Sequence, residues 1–357
     1  MPDGYSVARV AAPRIARHFA EHRAKAQPGE TPGELLPDAQ TIEALIDAAF
    51  WASLRREEGY VPKISLAYLP PTPAVFPMRF ERPLPLEPSV LAKMAPAVER
   101  PGIHLGVWDG QVWGATRAIP PYCLVVEVVS PGLLVIKHRP RNESRKFVNV
   151  AVLEADRIKI VDENTSAIAD CPGLLTSLLL FDLPQNEKAN LLVQLAVSMR
   201  RHGRGGTLLV VPSGSDDWQQ SIVKPVSYAV DPAYMDPDWT DDTGRAVDAI
   251  AGLTAVDGAT VITDSYAVLA FGVKIRRKSG GETVEQLIVT EPVEGGQPER
   301  LHPTVLGGTR HLSAAQFVMD QPNTLALVAS VDGHFTLFAW SPCEKAVHAH
   351  RVEVLLL

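Results

Sequence analysis

Nine of the 30 prolines in this chain fall between residues 70 and 101, and that cluster constrains the fold more than any other feature. Proline fixes φ and carries no backbone N–H, so it interrupts helices and central strands. The cluster predicts an extended segment without regular structure, apart from a short helix over residues 89–95. Pro28, Pro32 and Pro37 interrupt the chain upstream, and the prolines from Pro212 onward lie between expected elements. The excess is punctuation rather than disorder. Apolar residues at 46% and charged residues at 21% are the balance of an ordinary globular chain. A length of 357 residues is enough for about two domains, each with its own core.

Between the prolines the hydrophobic periodicity changes character. Val7, Ile15 and Phe19 recur near helical spacing and predict a helix over residues 5–26. Asp38 is placed to cap a second helix over 42–56. Residues 63–69 alternate and run into Pro70-Pro71, which predicts an edge strand. Asp109-Gly110 between apolar runs predicts a two-residue hairpin turn. More strands are expected at 123–129, 132–138, 146–151 and 157–161. From residue 186 the pattern alternates: an amphipathic helix to His202, a continuously apolar strand over 207–211, then further strands and helices. The expected organisation is N-terminal helices over 1–60, a β-rich domain over 61–170, an α/β domain over 180–345, and a strand or tail over 346–357. The fold class is thus α/β in the C-terminal domain, a mixed central sheet flanked by helices, preceded by a helical and β-rich region.

Charge and cysteine usage exclude several classes. The formal charge is −7, which argues against broad nucleic-acid binding. No apolar run approaches the roughly 18 residues of a membrane helix, and the N-terminus shows no secretory signal. The longest apolar runs are 124–129 and 174–181. Cys123, Cys171 and Cys343 are far apart and odd in number, the pattern of reduced thiols in a cytoplasmic protein. A homo-oligomer is compatible with all of this.

The most informative segment is Gly307-Gly308-Thr309-Arg310-His311. Two glycines, a hydroxyl, a guanidinium and an imidazole stand where a loop meets a helix N-terminus. Free backbone N–H groups, the positive helix end and a bidentate donor suit a phosphate. The same pattern also serves as an ordinary start to a helix. Asp257-Gly258-Ala259 before a buried strand is a turn, read alone. Gly205-Gly206 punctuates a helix-to-strand passage, and the Asp-rich residues 213–244 suit a solvated loop better than a metal site. Of the histidines near the end, only His348 and His350 are regularly spaced for a structural metal.

Taken together, four segments resemble one family. Gly205–Val211, Val256–Ile262, Gly308–Ala315 and Val328–Phe335 fall in the order, and at about the spacing, of the diadenylate cyclase domain (DisA-N, or DAC). That family carries an apolar strand, an Asp-Gly-Ala motif, a Gly-Thr-Arg-His-Arg motif and a Ser-Glu-Glu motif. The resemblance covers about residues 180–342. The β-rich part before it is similar to the N-terminal region of the DAC-related probable sensors of the DACNV type. The resemblance implies an ATP or cyclic-nucleotide ligand and a Mg²⁺ or Mn²⁺ ion. It implies that Asp257 is the metal-side and, in an active enzyme, catalytic carboxylate. Gly258 and Ala259 would line the nucleotide, and Gly308, Thr309, Arg310, His311 and Ser330 would contact phosphates.

Two departures separate this chain from the cyclases. Leu312 stands at the third basic position of Arg-His-Arg, and Val331 and Asp332 replace the two glutamates after Ser330. Losing a guanidinium removes a charge-assisted phosphate contact, worth about 1.5–3 kcal/mol. A binder tolerates that better than a catalyst. The expectation is a nucleotide-binding sensor with weak or no cyclase activity. An active diadenylate cyclase and a non-catalytic scaffold with a relic pocket are the alternatives.

Overall fold

A computed structural model describes residues 4–24, 36–56, 59–71, 78–100, 102–139, 147–162, 187–226, 228–231 and 243–357. The chain divides into two units, Met1–Asp162 with Leu357, and Glu163–Leu356. The architecture is mixed α/β, with one mixed sheet in each unit.

The N-terminal unit contains helices α1 (Ser6–Ala24), α2 (Ala39–Ser53) and α3 (Pro88–Val98). Its strands are β1 (Ser65–Tyr68), β2 (Met78–Pro85), β3 (His104–Trp108), β4 (Gln111–Thr116), β5 (Leu124–Ser130), β6 (Leu133–His138), β7 (Val148–Glu154) and β8 (Arg157–Ile160). They form an eight-stranded sheet in the order β2-β4-β3-β1-β5-β6-β7-β8. Asp38 caps α2 as its position predicts, its carboxylate accepting from the Thr41 backbone N–H at 2.7 Å. Asp109 (φ 48°) and Gly110 (φ 69°) both take the left-handed conformation, which lets a two-residue turn follow the sheet's twist. Alternation along the strands divides the side chains by face. Leu124, Val126 and Val128 join Ile42, Leu45 and Ile46 of α2 and Ile15 of α1 in one core. Cys123 and Val125 face the other way, with Ala67, Leu69 and Trp113.

Two expectations in this unit need correction. β1 is a central strand, parallel to β3 and antiparallel to β5. Pro70-Pro71 lies beyond its last paired residue, so those prolines end the strand without exposing a side of it. The proline cluster also contains regular structure. Among the described residues β2 is an edge strand paired to β4, and its register is irregular between Arg79 and Leu84, where Pro83 falls. An edge strand with a bulge can accept a residue that donates no hydrogen bond. The helix of this segment, α3, begins one residue before its expected start, with Pro88 at a position where no intrahelical donor is needed.

The C-terminal unit contains helices α4 (Glu187–Arg201), α5 (Thr243–Leu253), the short α6 (Pro303–Leu306) and α7 (Thr309–Asp320). Its strands are β9 (Gly206–Val211), β10 (Tyr228–Ala229), β11 (Ala259–Thr263), β12 (Val268–Val273), β13 (Leu287–Thr290), β14 (Glu299–Leu301), β15 (Leu325–Ala329), β16 (Phe335–Ser341) and β17 (Ala346–Arg351). The sheet order is β10-β12-β11-β9-β15-β16-β17-β13-β14. β9 is buried along its whole length. Leu208 and Val210 pack with Leu192, Leu195 and Met199 of α4 and Val247 and Ile250 of α5. Leu209 and Val211 pack with Ala314, Phe317 and Val318 of α7. The continuous apolar run over 207–211 has its cause here, because both faces of the sheet are covered. Residues 346–351 form β17, an interior strand of this sheet between β16 and β13.

Cys123 is a buried and Cys343 an exposed free thiol. Cys171 and the apolar run 174–181 lie outside the described residues, as does much of the acidic stretch 213–244. His348 and His350 are both buried, and the His350 Nδ1 lies 2.5 Å from the Thr290 hydroxyl. No described helix is long and apolar enough to cross a membrane.

Candidate functional site

The topology of the C-terminal unit brings the four motif segments to one end of its sheet. β9 and β11 are parallel and begin together, with Thr207 opposite Ala259. β15 runs antiparallel to β9 and ends where β9 begins, with Ala329 opposite Gly206. β12 is antiparallel to β11 and also ends there, with Val273 opposite Ala259. β17 likewise ends at this end, Arg351 standing opposite Thr336 near the start of β16. The N-terminus of α7 presents Gly308, Thr309 and Arg310 to the same region.

The Arg310 guanidinium lies close to Gly205. A Cβ added to Gly205 would lie 2.9 Å from the Arg310 Nη1, 3.2 Å from the Val331 Cγ2 and 3.3 Å from the Ala329 carbonyl oxygen. Gly205 also has φ +69°. The left-handed backbone favours glycine here, and the missing side chain leaves room for the guanidinium beside it. Gly258 is tighter still. Its φ is +122°, and a Cβ there would meet the Gly272 carbonyl carbon at 2.5 Å. That contact brings the Asp257-Gly258 turn against the end of β12.

The end of β12 supplies a residue the sequence reading passed over. The Lys274 Nζ donates to the Asp257 Oδ2 at 2.6 Å. Both side chains are exposed, Lys274 at 54% and Asp257 at 92%. Hydrogen bonding and charge from Lys274 hold the Asp257 carboxyl below the usual range, and the charge of Arg310 adds to the effect. Asp257 thus feels two cations from distant segments. Lys274 directly follows β12, and nothing in its spacing marks it as a partner of Asp257.

The hairpin between β15 and β16 forms the other side. The Ser330 N–H donates to the His334 carbonyl at 2.9 Å, closing the turn. The Ser330 hydroxyl donates to the Asp332 carboxylate, and this bond is the first cause of the lowered Asp332 pKa. The Arg200 Nε of α4 donates to the Gly333 carbonyl at 3.2 Å. Val331 is 66% exposed beside Arg310. Beyond the turn, the His334 Nδ1 stands 3.3 Å from the Glu353 Oε1, which also accepts from the Arg351 Nη2 at 3.2 Å. Glu353 raises the His334 pKa.

The motif residues do not all share one surface. Gly308 and Thr309 are exposed, and Arg310 and Ser330 are half-buried. His311 and Ala259 instead belong to the interior. The His311 ring is buried, edge-on to Phe338 with centroids 6.1 Å apart. A Cβ on Gly307 would be 2.3 Å from the His311 Nδ1, so this glycine makes room for the ring. Burial lowers the His311 pKa; Asp332 opposes that shift, while His334, Arg351 and Arg310 reinforce it. Ala259 lines the core beside Val261 and Ala270. His311 lies inward because the first turn of α7 packs on the sheet, and Ala259 because β11 is an interior strand whose side chains there face that helix. Leu312, at the position where the cyclase motif has its third basic residue, packs against that same core.

Two cavities among the described residues lie elsewhere. One of about 60 Å³ sits at the opposite end of the sheet, lined by Pro212, Ser215, Asp217, Trp218 and Gln321 among others. A more open one of about 320 Å³ lies around Lys278–Gly281 and Asp320. The motif end carries its charge at the surface.

Comparison with known proteins adds one finding. The family described as "Probable sensor domain DACNV" matches residues 31–117. The match covers α2, β1, β2, α3, β3 and β4 of the N-terminal unit, about a quarter of the chain. It supports a sensor domain of the DACNV type there, and it does not extend to residues 180–342. No curated protein matches the chain.

Proposed function

We propose that the protein is a nucleotide sensor whose C-terminal unit binds ATP or a cyclic dinucleotide at the motif end of its sheet. One observation carries the reading. Arg310, Thr309, Ser330 and the Asp257–Lys274 pair come from four distant segments and converge on one end of one sheet, with Arg310 seated against a glycine that leaves it space. Exposed or half-buried hydroxyls and cations at strand ends and a helix N-terminus are the chemistry of phosphate binding. The DACNV match in the N-terminal unit supports the sensor half of the proposal.

Binding without efficient cyclisation is favoured by two side chains. Leu312 is turned into the core, and Val331 puts an apolar side chain where the cyclase motif carries a carboxylate. Calorimetry and thermal shift with ATP and cyclic di-AMP test the reading. Arg310→Ala should weaken binding by about tenfold or more, the loss expected for one charge-assisted phosphate contact. Incubation with ATP and Mn²⁺ should leave the nucleotide unchanged. Robust formation of cyclic di-AMP would make the protein an active cyclase instead.

A further inference from the structure

The donor set around Asp257 does not suit a divalent cation. Mg²⁺ and Mn²⁺ take several oxygen ligands in a near-octahedral shell. Among the described residues, no group of three or more His, Cys, Asp and Glu side chains could hold a metal ion. The carboxylates at this end already have partners. Asp257 accepts from the Lys274 ammonium at 2.6 Å. Asp332 accepts from the Ser330 hydroxyl, and Glu353 accepts from Arg351. A divalent ion on Asp257 would have to displace Lys274 or lie against its like charge.

We propose that Lys274 takes the place of a divalent cation in this site, so that nucleotide phosphates are held between its ammonium and the Arg310 guanidinium without metal. The inference rests on the nucleotide-binding reading. Lys274 is suited to the task by its anchoring. Its carbonyl accepts from the Val223 N–H at 2.8 Å, so its backbone is tied at the end of β12, while the head group remains in solvent. Asp257 acts as a positioning residue that holds the ammonium at this end of the sheet. The pair is exposed, so it can exchange partners at small cost, and an arriving phosphate competes directly with the carboxylate for the ammonium. Arg310 supplies the second cation, close enough for its charge to act on Asp257. Lysine is the natural residue for this part, a compact ammonium on a flexible stem that meets a phosphate as a point charge.

The sign of one substitution separates this arrangement from a metal site. If Asp257 held a metal, Asp257→Asn would abolish binding. If Asp257 only positions Lys274 and competes with phosphate, Asp257→Asn should leave affinity unchanged or raise it. The experiment is calorimetry on the full chain with ATP and with cyclic di-AMP, each in EDTA and in excess Mn²⁺. The expected result is similar affinity in both buffers. Lys274→Met should weaken binding in EDTA by about tenfold or more, and Lys274→Arg should restore much of it. Binding that appears only with Mn²⁺, or that Asp257→Asn abolishes, overturns the metal-free site and leaves the nucleotide reading standing. No binding in either buffer overturns the nucleotide reading and this inference with it.

Discussion

In the eight-stranded sheet the Ser65 hydroxyl and the His104 Nδ1 meet at 2.7 Å, and both side chains are buried. At the motif end of the nine-stranded sheet Lys274 and Asp257 meet at 2.6 Å, and both are exposed. The distances are nearly equal and the consequences opposite. Burial lowers the His104 pKa to about 4, with the Lys137 charge assisting and Glu127 opposing. Ser65 and His104 therefore form a neutral pair that belongs to the fold. A charge there would have to leave water without full compensation. The exposed ion pair keeps its hydration, contributes little to folding and can change partners. Burial, more than contact distance, decides whether a polar pair serves the core or a ligand.

The strongest way to break this contrast is to damage the site from within the core. Phe338 is fully buried and carries the His311 ring on its edge. Phe338→Ala should cost about 3–5 kcal/mol of stability in the C-terminal unit, measured by urea denaturation. Ligand binding should weaken with it if the first turn of α7 depends on that packing.

Acid should separate the two kinds of pair next. The folded-state pKa of His104 is lowered to about 4, and burial together with neighbouring His348 lowers that of His350 to about 3. The ordinary histidine value is about 6.5, so the unfolded chain binds these protons first. The stability contributed is full above about pH 6.5 and is lost as pH falls through the folded values, about 3 kcal/mol for His104 and about 5 kcal/mol for His350. The melting temperature should fall steeply between pH 6.5 and 4. His104→Gln should make that slope shallower. An unchanged slope would show that His104 is not titrating in a buried site.

The smallest effect should come from the exposed pair. Lys274→Met without ligand should leave the melting temperature at pH 7 unchanged. A clear destabilisation would mean that the pair serves the fold after all, and the contrast between the two regions would fail.

Much of this was legible in local chemistry. Asp38 three residues before Thr41 marks a helix cap, and Asp109-Gly110 marks a hairpin turn. The spacing of Leu192, Leu195 and Met199 marks the buried stripe of α4. The candidate site was half legible. Arg310, Ser330 and Asp257 stand out by motif, whereas Lys274 does not, because its partner lies 17 residues away across a strand pairing. His311 and Ala259 were expected at the ligand surface. Their inward direction depends on how α7 packs on the sheet and on the strands that flank β11, which no motif encodes.

The sequence by itself determined the elements that depend on neighbours along the chain: caps, turns, amphipathic stripes, and the doubly apolar run of β9. It also determined the residue types available for phosphate chemistry. Tertiary structure alone decided that β1 is central, that β2 passes through its prolines as an edge, and that β17 is interior. It also decided that a lysine at the end of β12 neutralises Asp257. Each of these depends on which strand lies beside which. A strand has two sides and two faces, and their occupants come from anywhere in the chain, so local pattern fixes the conformation of a segment but not its neighbours.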